Sequence, residues 1–327
     1  MTAIDPRVGS GTGGMVPSAD ALPDVLPTDR LLVSGKAVPE VRAELREIAG
    51  ARNALTVAGL WAVIVALWAT AVWLHHPLGY AALFVLMGPM FARLAILGHE
   101  AAHRLLFRNR TANDLVGRWV LDYPAFVPFD IYRRAHFAHH KDEFGPAEPD
   151  HALYAGYPVS RASWRRKLVR DAVGISGWKN LKPLLRAMKA KASRPVASRI
   201  LGTQLVLWAL IWGLTGRWWL YPLCWLGPWM TVWRVLNRLR AIAEHGGMER
   251  SDDRRRTSHV IHQSWAARFW IVPYRTGWHL AHHVDMGIPW RHLPAYHQEL
   301  VDAGWVTPPL EHPSYRAFWR ACSSAAA

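Results

Sequence analysis

The sequence predicts an all-α integral membrane protein: four transmembrane helices as two hairpins, with a cytoplasmic helical cap that carries clustered histidines. Three observations predict it. Apolar runs come in pairs, and the chain is 51% hydrophobic with 19 tryptophans. A helix needs about 20 apolar residues to cross the hydrocarbon of a bilayer. The segment between the two pairs is strongly basic. Finally, eight of the 17 histidines fall into three short boxes, at 99–103, 136–140 and 279–283.

Residues 1–36, rich in Gly, Pro, Asp and Ser, show no periodicity and read as a disordered N-terminal tail. No basic stretch leads into an apolar core with a cleavage site, so no signal peptide is expected. The main domain is expected over 37–315. Pro39 opens a helix whose Val41, Leu45 and Ile48 form an apolar stripe. Spans are expected at 55–74 and 78–97, reversed by His75-His76-Pro77. Arg93, near the end of the second, either snorkels or stays buried in protein.

The loop 104–199 carries 19 Lys or Arg against 8 Asp or Glu. Within it Leu115 to Phe129 is too short and mixed to span, and suits an interface or the roof of a channel. The second pair of spans is expected at 198–214 and 218–236, joined by Thr215-Gly216-Arg217, with Gly227-Pro228 able to kink the last. Four spans put both termini and the basic loop on one side, which the positive-inside rule makes cytoplasmic, as in a bacterial inner membrane. All three boxes then face the cytoplasm. Residues 248–262 read as an exposed charged loop with His259 and His262 at the surface. Residues 316–327 read as a C-terminal tail.

The net charge of +15 is spread through loops beside apolar spans, without a nucleic-acid-binding motif. It fits anionic lipid headgroups and excludes nucleic acid as the expected partner. Cys224 and Cys322 form no pair motif, so neither a disulfide framework nor a zinc ribbon is expected.

The boxes carry the chemistry. Side chains three and four apart share one helix face, so each box can aim its imidazoles at one point. Neutral imidazole suits Fe, Zn, Cu and Ni. Eight convergent imidazoles are too many for one ion and suit two. His245, just past the last span as His99 is past the second, is a candidate ninth ligand. Glu100, Asp142, Glu143, Asp150 and Glu244 are candidates to accept the second ring N–H of ligand histidines. Two readings compete. His99-Glu100-Ala101-Ala102-His103 is formally the H-E-x-x-H of zinc proteases, which leaves the other boxes unexplained. A non-enzymatic scaffold would only bind or sense metal.

These residues resemble the membrane-bound fatty acid desaturase and hydroxylase superfamily, most nearly its bacterial acyl desaturases, over roughly residues 50–315. The three boxes carry the resemblance, with Glu148-Pro149-Asp150, Glu244-His245-Gly246, Val272-Pro273-Tyr274, Ile288-Pro289 and Leu293-Pro294 followed by His297. The resemblance implies an oxygen-dependent enzyme with two non-haem irons held by His99, His103, His136, His139, His140, His245, His279, His282 and His283, and O2 as co-substrate. It implies a double bond placed in a long-chain acyl lipid, acyl-CoA or acyl carrier protein substrate, with hydroxylation, ketolation or oxidative decarboxylation as the same-site alternatives. Electrons are expected from a separate ferredoxin- or rubredoxin-type donor with its reductase, because no His-Pro-Gly-Gly haem signature is present. Ala241 stands where animal relatives place a water-binding asparagine.

Overall fold

A computed structural model of the chain describes residues 13–146 and 148–324. The protein is predominantly helical: α1 (Pro39–Leu45), α2 (Gly50–Leu74), α3 (Pro77–Ala102), α4 (Arg110–Leu115), a π-helical turn (Val116–Asp122), α5 (Phe129–Lys141), α6 (His151–Tyr154), α7 (Arg161–Ala172) and α8 (Ile175–Ala187). There follow α9 (Arg194–Thr215), a second π-helical turn (Pro222–Leu226), α10 (Gly227–Met230), α11 (Val232–His245), α12 (Trp265–Trp270), α13 (His279–Val284), α14 (Leu293–Asp302) and α15 (Tyr315–Cys322). Among the described residues, one two-residue parallel pair, β1 (Val260–Ile261) with β2 (Glu311–His312), departs from the all-α expectation. Two compact units emerge, an apolar unit (Ile48–Arg134 and Lys167–Asn237) and a histidine unit (Met1–Glu47, Ala135–Arg166 and Arg238–Ala327).

In the apolar unit, α2 and α3 follow one another across a short reversal and pack together. His75 ends α2 in the left-handed region (φ 49°), the Nδ1 of His76 accepts from the backbone of Leu78 at 3.2 Å, and Pro77 starts α3. Val57, Leu60 and Ile64 turn inward at helical spacing while Leu55, Val65, Trp73 and Leu214 stand exposed. An apolar outer surface is what a lipid-facing helix requires. Arg93 bonds the carbonyl of Pro89 at 2.9 Å. Among the described residues, three helices are long and apolar enough to cross a membrane: α2 within Pro39–Leu74, α3 and α9.

The fourth stretch, 218–236, is not one helix. Pro222 and Pro228 cannot donate to the helical ladder. Thr231, at φ −121° and ψ −82°, separates α10 from α11 one turn beyond the expected Gly227-Pro228 kink, and its hydroxyl bonds back to the carbonyl of Gly227 at 2.7 Å.

Non-helical backbone inside a membrane protein survives only where its polar groups are satisfied within the protein. The end of the π-helical turn and the turn that follows it, 120–125, meet that condition. Trp61 donates to the carbonyl of Val120, Gln204 to that of Tyr123, Trp225 to that of Pro124 and Trp229 to that of Ala125, at 2.6–3.1 Å. Close approach fixes Gly98, where a β-carbon would lie 1.9 Å from an Asp122 oxygen.

The histidine unit has a core of Leu31, Val41, Leu280, Trp290, Tyr296 and Trp305 among others. Two expectations are corrected here. Residues 13–36, expected as a mobile tail, are pinned in place. Leu31 is fully buried, Met15 donates to the carbonyl of Gly247 at 2.8 Å, and Arg30 forks onto Glu299 with two bonds of 2.7 Å. The rest of that tail lies outside the described residues. The C-terminal tail contains α15, whose Phe318 and Cys322 are fully buried and whose Trp319 donates to the carbonyl of Leu239 at 3.1 Å. The buried face of α15 is what holds this segment in the fold. Residues 325–327 lie outside the described set.

Candidate metal centre

Within the histidine unit, α5 carries His136, His139 and His140, α13 carries His279, His282 and His283, and His245 is the last residue of α11. Positions i, i+3 and i+4 fall on one face of each short helix. The site needs α13 to be fixed, and Arg42 of α1 grips Asp285 just past its end, one of the two bonds being 3.0 Å. All seven side chains are buried.

Two groupings result. In the first, the Nε2 of His140 lies 3.0 Å from the Nε2 of His136 and 3.0 Å from that of His282. In the second, ligand atoms of His139, His245 and His283 lie within 4.8 Å of one another, and the Nε2 of His279 is 2.9 Å from that of His245.

The outer side of the second grouping is tied down. His139 bonds through Nδ1 to Glu148 at 2.7 Å, His245 to the carbonyl of Thr257 at 2.8 Å and His283 to Glu143 at 2.5 Å. His279 places its Nδ1 3.4 Å from Glu244. A neutral imidazole that donates from Nδ1 keeps its lone pair on Nε2. The oxygens therefore aim each Nε2 inward, as partners of metal-bound histidines do.

The donor set fits metal ions. Two nitrogens at right angles, each about 2.0–2.1 Å from one ion, stand about 2.9 Å apart. The observed Nε2 separations agree. A cation among them would serve the nitrogens of His136, His140 and His282 at once. The Nε2 of His283 is buried with no hydrogen-bond partner among the described residues.

Burial, aided by neighbouring imidazoles, holds His245, His279 and His283 well below the usual histidine range. They are neutral, the form that binds metal. His139 differs: burial lowers it, but the hydrogen bond and charge of Glu148 more than offset that and raise it. Burial pushes Glu143 up to about 7, against the pull of Arg254, and likewise raises Glu244 and Asp150.

The remaining site residues are placed as follows. His99 and His103 close α3 in the apolar unit with ring centres 4.6 Å apart, and buried Glu100 lies 3.8 Å from the Nδ1 of His99. Asp142, expected beside a histidine, pairs instead with Arg250 at the surface at 2.7 Å, because the chain leaves the helical register after Lys141. Asp150 acts through its backbone N–H, which donates to Glu148 at 3.0 Å. Ala241 packs with Phe144, Tyr154 and Met248 and offers no ligand atom. Two contributors were missed: Thr257, whose carbonyl leaves no signal in a sequence, and Arg254. His259 is also buried rather than at the surface, donating from Nε2 to the carbonyl of Gly246 at 2.7 Å. His262 is exposed, as expected, and pairs with Glu311 at 3.0 Å.

A family model described as "Fatty acid desaturase" matches residues 75–319. Among curated proteins, an "Omega-6 fatty acid desaturase, chloroplastic" of Brassica napus is 22% identical over 291 residues, 81% of this chain and 62% of that protein. An "Acyl-lipid (9+3)-(E)-desaturase" of Dimorphotheca sinuata is 28% identical over 151 residues, 43% of this chain and 37% of its own. An "sn-1 acyl-lipid omega-3 desaturase (ferredoxin)" of Nostoc sp. (strain 36) is 28% identical over 112 residues, 34% of this chain and 30% of its own. The chain thus spans between 30% and 62% of the length of these relatives.

Proposed function

The chain belongs to the fatty acid desaturase family, and from that premise we propose that it is an oxygen-dependent di-iron enzyme that places a double bond in a long-chain acyl substrate. The observation that carries the proposal is the inward convergence of buried Nε2 atoms whose Nδ1 atoms are held by outer oxygens.

The ligand set proposed within the histidine unit is His136, His140 and His282 in one grouping and His139, His245, His279 and His283 in the other; His99 and His103 are proposed as ligands from the family resemblance alone. Two irons held there, with O2, supply the oxidising power to remove hydrogen from an unactivated methylene. The protein's part is to keep the imidazoles neutral and aimed, and to surround them with packed side chains that keep water out.

The apolar outer faces of α2, α3 and α9 support insertion in a membrane, with 218–236 as a fourth, broken crossing. The basic excess of 104–199 supports a cytoplasmic site in a bacterial inner membrane. Names of relatives that specify acyl-lipid substrates and ferredoxin support an acyl lipid as substrate and a ferredoxin-type donor.

The test is metal analysis of the detergent-purified chain, paired with mass spectrometry of lipids from cells that express it. Roughly two irons per chain, with acyl products lighter by two hydrogens, are expected. Iron with products heavier by one oxygen would move the reaction to hydroxylation. Zinc with unchanged lipids would overturn the proposal and return His99-Glu100-Ala101-Ala102-His103 to hydrolytic chemistry.

A further inference from the structure

We propose that the turn Arg254–His259 sets the direction of two metal-binding histidines at once, with Arg254 a positioning residue that acts through Glu143 on His283. The inference rests on the reading of His140, His245 and His283 as ligands.

By composition, Ser251-Asp252-Asp253-Arg254-Arg255-Arg256 should be a solvated loop with its arginines splayed into water. The fold gives each arginine a separate partner. Asp253 caps a 3-10 turn over Arg254–Arg256 by accepting from the backbone of Arg255 at 3.0 Å. Arg255 is buried, donates to the carbonyls of Pro23 and Trp305 at 2.9 and 3.2 Å, and lies 4.6 Å over the ring of Trp305. Arg256 pairs with Glu249. With its flanks anchored, the turn presents Arg254 inward. One Nη donates to Glu143 at 2.6 Å and the other to the carbonyl of His140 at 3.1 Å.

The same oxygen of Glu143 accepts from the Nδ1 of His283 at 2.5 Å. Arg254 thus fixes the carboxylate that fixes the ring, and its planar fork ties that carboxylate to the helix end carrying His140. The other side of the turn holds the end of α11. Thr257 accepts from His245, and the backbone of His259 donates to the carbonyl of Glu244 at 3.0 Å while its ring donates to that of Gly246 at 2.7 Å. Three consecutive residues, 244–246, are bonded by one turn. A displaced turn releases His283 and His245 together.

The test uses the full chain, stripped of metal in detergent and titrated with cobalt(II), whose visible spectrum reports coordination. Arg254→Met keeps the length and loses the fork. It is expected to weaken cobalt binding about 10–100-fold, the usual cost of losing an outer partner of a metal ligand, and to change the spectrum. Arg250→Met, which breaks the exposed pair with Asp142, serves as control and is expected to match the parent. Arg254→Lys, which keeps the charge and loses the fork, is expected to fall between Arg254→Met and the parent, about 3–10-fold weaker than the parent. Combined with Glu143→Gln, Arg254→Met is expected to cost less than the product of the two single losses, because both act on one path.

An Arg254→Met protein with parental affinity and spectrum overturns the inference. If that variant does not fold, Arg254→Lys decides: binding about 3–10-fold weaker supports the role of the fork, and parental binding overturns it. A parent chain that binds no cobalt overturns the metal-centre reading, and this inference with it. Binding by parent and variant alike overturns this inference alone.

Discussion

Gln204 in the apolar unit and Glu143 in the histidine unit are both buried polar side chains with partners far away in sequence, yet the partners differ in kind. Gln204 serves backbone. Its amide donates to the carbonyls of Tyr123 and Pro124 at 2.6 and 3.3 Å, and its oxygen accepts from Tyr221 at 2.8 Å. Glu143 serves an imidazole and is held in turn by Arg254. In the apolar unit, buried polarity makes a break in helical structure tolerable among apolar side chains. In the histidine unit it aims lone pairs at a point where no protein atom is needed. The difference predicts which substitutions cost fold and which cost only metal.

The largest effect should come from His283→Ala, which removes an inward nitrogen. Iron binding should fall by more than the roughly 10–100-fold expected for an outer partner, while helical content and extraction from membranes stay parental. Iron analysis with circular dichroism checks both halves. Loss of the fold together with the metal would erase the contrast between the units. The opposite pattern is expected of Gln204→Leu. Leaving the Tyr123 carbonyl and the Tyr221 hydroxyl without their partner should cost about 1–3 kcal/mol of stability, with iron per folded molecule unchanged. Unfolding in detergent, followed by tryptophan fluorescence, measures the first and metal analysis the second.

What could be read from sequence follows the same division. Apolar runs of the right length and histidines spaced by three and four are local patterns, so the helices α2, α3, α5 and α13 were legible. Proline and glycine announced a kink near 227, but the separation of α10 from α11 falls at Thr231, where hydrogen bonding with Gly227 decides it. Segment 13–36 was misread because its composition resembles that of a free tail, while a few residues such as Leu31 and Arg30 hold it through contacts more than 200 positions away. Of the acidic candidates, Glu143 and Glu244 face histidines and Asp142 does not, since direction is unpredictable once a helix has ended. The carbonyl of Thr257 could not be read at all, every residue having one.

His259 gives the smallest and most pointed test, because it is buried like His245 but belongs to the supporting turn. Burial pushes it down to about 3, so it stays neutral in the folded chain at pH 5, where the unfolded chain, with an ordinary pKa near 6.5, has taken up a proton. The unfolded state binds more protons below pH 6.5, and stability is lost as pH falls through that window. The contribution of this one group rises from about 0.7 kcal/mol per pH unit at pH 6.5 to about 1.4 near pH 5. Glutamine can still donate to the Gly246 carbonyl but does not titrate. Metal-free His259→Gln should therefore show a pH-dependence of unfolding shallower by that amount, with cobalt affinity changed far less than in His283→Ala. An unchanged slope would mean that His259 reaches water in the folded chain. A loss of cobalt equal to that of His283→Ala would move His259 from the supporting turn into the ligand set, and the line between aimed and aiming groups would have to be redrawn around it.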